Sequence, residues 1–369
     1  MKKLLLLFVP LVVLFGCEND NEEVISNCVS DLEIDQSRGD CNESINFTSE
    51  FNITTTNNER IISSNNIPDH LVGLFGGGQG SLNPNEISPQ FENYVISCIP
   101  TVNPTLTSLL NDAGQGQNLG PQYAFGIMLN GIELDPVAAE PFPHNGNLSD
   151  PNNNWEWNKE ALNVNLGLDC NNGHVQPNGK YHYHATPVDY LNSLGLSNNE
   201  MTLVGYAADG FPIYYKYAYS VADNNNSKIQ IMKSSYQLKS GYRPGDGINA
   251  PCDEYNGVYS NDYEYVENLG NLDEANGRNG VTPEYPNGTY YYVLTDEFPG
   301  VPRYFKGSPS NDFKIIQWIW INKKAPTFVD ALSVAPPAGL ISNHLLKDLN
   351  DFHLLYKEIQ SYQKSPSLN

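Results

Sequence analysis

His174-Val-Gln-Pro-Asn-Gly-Lys-Tyr-His182-Tyr-His184 is the stretch whose reading decides the fold and the site. Three of the seven histidines of the chain fall within it. Pro-Asn-Gly suits a three-residue hairpin loop: proline and asparagine form a type I turn, and glycine takes the left-handed position of a G1 bulge. Loop length sets register. With Pro177–Gly179 as the loop, Gln176 faces Lys180, Val175 faces Tyr181 and His174 faces His182. His182 and His184 share a face because strand side chains alternate, so His174 joins them while Tyr181, Tyr183 and Val175 fill the other face. A two-residue Asn178-Gly179 loop would put His174 opposite Tyr183 and break the cluster; the proline favours the longer loop.

Three neutral imidazoles on one hairpin suit Zn²⁺ or Cu²⁺. Calcium or magnesium would require oxygen ligands. We expect Asp209, from the turn after the strand ending at Ala207, as a fourth ligand, with Asp273, Glu274 or water as alternatives. An open fourth position would serve a metal-dependent enzyme, a hydrolase or an oxidase. The plainer reading makes these histidines sheet residues hydrogen-bonded to carboxylates and carbonyls.

Working outward, the chain reads as mainly β (α+β). We expect one large domain of antiparallel hairpins, few short helices and a C-terminal amphipathic helix. Tyr123–Leu129 leads into an Asn130-Gly131 turn, and Met201–Ala207 leads through Asp209-Gly210 into Phe211–Tyr215. Thr289–Thr295 is the strongest strand signal, and Phe313–Ile321 reads as a last buried strand. Short helices are expected at Pro187–Leu194 and Trp155–Leu162. Leu345, Leu349, Phe352, Tyr356 and Ile359 form one apolar stripe, which predicts a helix over about 345–362 that docks on the domain; His344 and His353 belong to it as surface or packing residues. Gln176–Tyr183 and Tyr285–Tyr292 share Pro-Asn-Gly ahead of alternating aromatics, which two similar hairpins in one sheet explain without a full duplication.

Lys2 and Lys3, the apolar run Leu4–Phe15 and then Gly16-Cys17 resemble a bacterial lipoprotein signal over residues 1–16, cleaved before a lipid-bearing (palmitate-type) Cys17. We expect residues 17–45 to form an acidic tether, 46–325 the domain and 326–369 a C-terminal extension. The chain would then sit at the outer membrane or cell surface, with the periplasmic face as the other option, touching the membrane through its lipid alone. A net charge of −22 argues against nucleic acid as a partner. No small ligand or glycan is identified by sequence, though abundant tyrosines would suit a glycan- or protein-binding surface. Beyond Cys17, we expect Cys28 to pair with Cys41 and Cys170 with Cys252, leaving Cys98 over; connectivity stays open, and a metal-thiolate role for Cys170 is the alternative. Asp273, Glu274, Asn276 and Arg278 form either a ligand loop or, more simply, a hydrogen-bonded corner with an Arg–carboxylate clamp.

Leu166–His184 resembles the signature of the YHYH-domain proteins, which is Tyr181–His184 here. Phe125–Gly131, Leu203–Tyr214, Leu272–Arg278 and Thr282–Pro302 agree with it, so the resemblance spans roughly residues 65–313. It implies secreted or envelope proteins of uncharacterised activity and transfers no catalytic residue. The chain departs from the pattern at Ala275, where members often carry cysteine.

Overall fold

The computed structural model describes residue 28 and residues 32–110, 120–148 and 150–315. Cys17, the signal segment, the C-terminal helix and most of the Phe313–Ile321 strand lie outside these. Phe313 itself is buried in a short 3₁₀ turn, Asn311–Phe313, begun by the Ser310 hydroxyl accepting from the Asp312 amide.

Two sheets carry the architecture. An antiparallel three-stranded sheet joins β1 (Phe51–Thr55), β2 (Glu59–Ser64) and β3 (Glu92–Ser97). The central sheet has eight strands: β4 (Gly126–Met128), β5 (Glu133–Leu134), β6 (Gly173–Val175), β7 (Tyr181–Tyr183), β8 (Leu203–Ala207), β9 (Pro212–Tyr215), β10 (Gly277–Gly280) and β11 (Thr289–Leu294). Their order across the sheet is β10-β11-β9-β8-β4-β5-β7-β6. The protein is mostly β, and the expected hairpins β4–β5 and β8–β9 are both present. The sheet is not wholly antiparallel: β5 pairs with β7, and β9 with β11, in parallel. A short helix, Val188–Ser193, occupies the first predicted helical segment. The second is a strand, Asn154–Asn158. Trp155 and Trp157 are buried and Glu156 is exposed, so the Trp-Glu-Trp alternation has the period of a strand, not of a helix.

The strand order reads the same from either end. Hairpin β4–β5, parallel neighbour β7 and its hairpin mate β6 form one repeat; β8–β9, β11 and β10 form the other. The repeats meet where β4 and β8 pair, with Ile127 opposite Tyr206, Gly126 opposite Ala207 and Met128 opposite Gly205. This is a local two-fold. It forces glycine on both sides: a Cβ on Gly126 would lie 2.4 Å from the Tyr206 carbonyl oxygen, and one on Gly205 2.6 Å from that of Ile127. Side chains obey the same relation. Asn130 Nδ2 donates to the Tyr183 hydroxyl (3.0 Å), and in the equivalent turn the Tyr292 hydroxyl donates to Asp209 (2.6 Å). Asp169 accepts from the amides of Asn171 and Gly173 and the hydroxyl of Tyr181; Asp273 accepts from Ala275, Gly277 and Tyr290. Asn172 (φ 55) and Asn276 (φ 53) hold the same left-handed position. The Pro-Asn-Gly echo is therefore the visible part of a duplication, contrary to the simpler expectation.

The covalent links also differ from expectation. Cys28 bonds to Cys252 and Cys41 to Cys170, with Cys98 the free cysteine among the described residues. Residues 32–45 accordingly do not behave as a tether. Arg38 donates to Asn172 (2.7 Å) and to the Ala161 carbonyl (2.8 Å), and Gly39 bridges to Asp169. The Cys41–Cys170 bond thus fastens this segment to the turn before the histidine hairpin, and the Cys28–Cys252 bond spans 224 residues of chain, so neither closes locally.

Candidate metal centre

The β6–β7 hairpin has the register that its loop demands: Val175 faces Tyr181 and His174 faces His182. The Gln176 carbonyl accepts from Gly179 (2.9 Å), and Gly179 sits at φ 86°, the left-handed position that only glycine takes freely. Tyr181 and Tyr183 are fully buried on one face. All three histidines emerge on the other.

Their Nε2 atoms converge. His184 Nε2 is 3.0 Å from both His182 Nε2 and His174 Nε2, and the ligating nitrogens of the three rings lie within 4.8 Å of one another. Nitrogens around a tetrahedral zinc stand about 3.3 Å apart, given bonds of 2.0–2.1 Å, so the two short separations would open by a few tenths of an ångström and the widest, 4.8 Å, would close. His174 Nδ1 donates to the Leu166 carbonyl (3.0 Å). That contact leaves the lone pair on Nε2, aimed at the centre, as in histidine ligands generally. Burial holds the pKa of His174 low; burial and the neighbouring imidazoles hold His182 and His184 well below the ordinary histidine range. The rings are neutral at physiological pH, as metal ligation requires.

The second repeat shows what this face does without histidines. There the positions of His182 and His184 are held by Tyr291 and Val293, and that of His174 by Arg278. Tyr291 and Val293 pack with Tyr214, Met201, Met232 and Leu272 into an apolar cluster. In the first repeat the same face borders a cavity of about 460 Å³ lined by the three histidines, Asp135, Glu140 and Lys159.

Asp209 is not a ligand. It is the counterpart of Asn130, and its carboxylate accepts from the Tyr292 hydroxyl and the Gly307 amide (2.8 Å), with burial pushing its pKa up to about 6. Asp273, Glu274, Asn276 and Arg278 form a corner, not a ligand loop. Asp273 caps its own turn, Asn276 donates to the Val293 carbonyl, Arg278 donates to Tyr291 (2.6 Å), and the Glu274 carbonyl accepts from Tyr236. Cys170 is disulfide-bonded and supplies no thiolate.

Asp135 is the residue that sequence reasoning missed. It follows Leu134, which pairs with Tyr183 in the parallel β5–β7 ladder, so it comes level with His184 and on the same face. Its amide donates to the Tyr183 carbonyl (2.9 Å), while its carboxyl Oδ1 is buried without a partner. Burial first, and the charge of Glu133 second, push its pKa up to about 8, against Lys180 and Arg303. The Asn130-Gly131 turn placed β5 as a hairpin strand, but nothing local signals its parallel pairing with β7.

Fold and site define a β-sheet protein with a three-histidine centre on an internally duplicated sheet. The family model described as YHYH protein matches residues 99–307, more than half of the 369-residue chain, and the chain belongs to that family. No curated protein and no solved structure matches it.

Proposed function

We propose that this protein binds one transition-metal ion, Zn²⁺ or Cu²⁺, through His174, His182 and His184. The observation that carries the reading is the convergence of three neutral Nε2 atoms on one point at the edge of a cavity. Elemental analysis of untagged protein tests it: about one equivalent of zinc or copper per chain is expected, and none would sink the idea.

Asp135 favours a metal-dependent enzyme over a store. Three protein ligands would leave a tetrahedral metal with an open position, and Asp135, level with His184 in the wall of the same cavity, is the carboxyl that would meet water there. The metal, when bound, would supply charge to that water; Asp135 would orient it. In the metal-free protein the same carboxyl is costly. Its folded pKa of about 8 lies above the unfolded value, so the unfolded chain releases the proton first and stability falls as pH rises from about 4 to about 8. Asp135→Asn is therefore expected to stabilise the metal-free protein by more than about 1 kcal/mol at pH 8 and by nothing near pH 4. Melting curves across that range decide it; a gain independent of pH would refute the burial argument.

We also propose that the chain is anchored in the cell envelope by lipid on Cys17. The order of Lys2, Lys3, the apolar run and Gly16-Cys17 supports this, as do two disulfides, which suit an oxidising compartment. Labelling with a palmitate analogue, lost in Cys17→Ser, is the expected result.

A further inference from the structure

The three-stranded sheet ends on β1, whose outer edge is bare. β1 pairs with β2 in unbroken register, from Phe51 opposite Ser64 to Thr55 opposite Arg60. Just beyond its ends, the Thr56 amide donates to the Glu59 carbonyl (2.8 Å) and the Asn65 amide to the Glu50 carbonyl (3.0 Å). Hydrogen-bonded pairs alternate along an antiparallel ladder. Asn52 and Thr54 therefore turn their amides and carbonyls to β2, while those of Phe51, Ile53 and Thr55 point away from it. Among the described residues, no group hydrogen-bonds to this outward row.

The other edges of the two sheets are closed by specific contacts. On β3 the Val95 amide donates to Asp312 (2.8 Å), and the Ser97 carbonyl accepts from Arg60 (3.2 Å). On β6 the Val175 carbonyl accepts from the side chains of Asn83 and Asn85 (3.0 and 2.9 Å). On β10 the Gly277 amide donates to the Asp273 carboxylate (3.1 Å), and its carbonyl accepts from the Asp273 amide (2.8 Å). Proteins also protect edges with charge, proline or bulges, because an unpaired strand recruits another. Phe51-Asn-Ile-Thr-Thr55 has no charge and no proline, and its pairing has no bulge.

Charge and symmetry select the occupant. With a net charge of −22, two copies repel over most of their surface, so self-association requires an uncharged seam. β1 supplies one, and it is self-complementary. With a two-fold axis at Ile53, antiparallel pairing sets Ile53 opposite its own copy and Phe51 opposite Thr55. The outward row then forms about six backbone hydrogen bonds. Asn52 falls opposite Thr54 of the second copy, a neutral polar pair. Glu50, the nearest acid along the chain, falls opposite Thr56 of the second copy, so no two carboxylates face each other across the seam.

We propose that β1 pairs with β1 of a second copy of this chain, joining the two three-stranded sheets into one continuous sheet. The proposal goes beyond the metal reading and stands without it. One strand-to-strand seam is small beside the roughly 800 Å² per partner of a stable complex, so the dimer is reversible, with a Kd of about 10–100 µM. The test uses the full chain as Cys17→Ser, which carries no lipid, in sedimentation velocity over a range of concentrations. A shift from monomer to dimer is expected. Thr55→Pro removes an outward amide and leaves the β2 ladder intact; it is expected to weaken the dimer at least about tenfold. Asn52→Cys and Thr54→Cys supply a second test that reads register. Mixed in equal amounts under mild oxidation they are expected to cross-link, and each alone is not. If Thr55→Pro does not fold, the cross-link decides. A monomer up to about 500 µM, a dimer untouched by folded Thr55→Pro, growth into larger assemblies, or no cross-link in the mixture would overturn the proposal. Each of these failures leaves the metal centre unaffected.

Discussion

His182→Ala is expected to abolish the metal binding proposed for the wild-type chain. His182 is 1 % exposed and supplies one of three converging nitrogens. Disturbing merely the outer partner of a ligating histidine costs about 10–100-fold in affinity, so removing a ligand is expected to cost at least about a hundredfold. His184→Ala, at the centre of the cluster, is expected to cost as much. Competition titration against a zinc chelator measures this directly. The alanine fold is easily checked, because Tyr181 and Tyr183 on the opposite face hold the strand in place and are untouched. If the folded variant binds as tightly as wild type, the histidines are ordinary sheet residues joined by hydrogen bonds.

The second large effect is on stability. Asp169 is fully buried and accepts four hydrogen bonds: from the amides of Gly73 (3.1 Å), Asn171 (2.9 Å) and Gly173 (3.1 Å) and from the Tyr181 hydroxyl (2.8 Å). It ties the loop at Gly73, the turn that launches β6 and the core tyrosine of β7 to one carboxylate. Asp169→Ala orphans all four donors. Each buried orphan costs about 1–3 kcal/mol, and relaxation and water entry recover part, so a loss of about 4 kcal/mol is expected. Chemical denaturation reads it. The metal site should suffer as well, since Gly173 precedes His174 and its position depends on this carboxylate. Asp273→Ala supplies the control: it removes the corresponding cap in the other repeat and should cost stability while leaving metal affinity alone. Equal effects of both on metal affinity would mean that the repeats are coupled more tightly than their separate caps imply.

Much of the site was legible because it is local. Proline at the first loop position and glycine at the third choose the turn, the turn chooses the register, and the register sets three imidazoles on one face. The hairpins after Asn130-Gly131 and Asp209-Gly210 were legible for the same reason. Most of the misreadings concern contacts between distant segments. Cys28 and Cys41 are close in sequence yet bond to Cys252 and Cys170, and residues 32–45 lie along the body, where Arg38 donates to Asn172 and to the Ala161 carbonyl. Asp209 looked like a ligand because it follows a strand and bears a carboxylate; the two-fold shows it to be the mate of Asn130, satisfied by a tyrosine. One difference is local: Asn154–Asn158 is a strand where a helix is expected, and the Trp-Glu-Trp alternation is its signal.

The sequence by itself determined the hairpin, its left-handed glycine and the shared face of His174, His182 and His184, since backbone sterics over eleven residues suffice for that. Tertiary structure alone decided what that face would border. The equivalent face of the second repeat is closed by Met201, Met232 and Leu272, whereas the first borders a cavity that receives Asp135 from β5. Both outcomes depend on which remote segment pairs with or packs on the hairpin. Those choices are made by burial and strand pairing across the whole sheet, not by the turn that makes the hairpin.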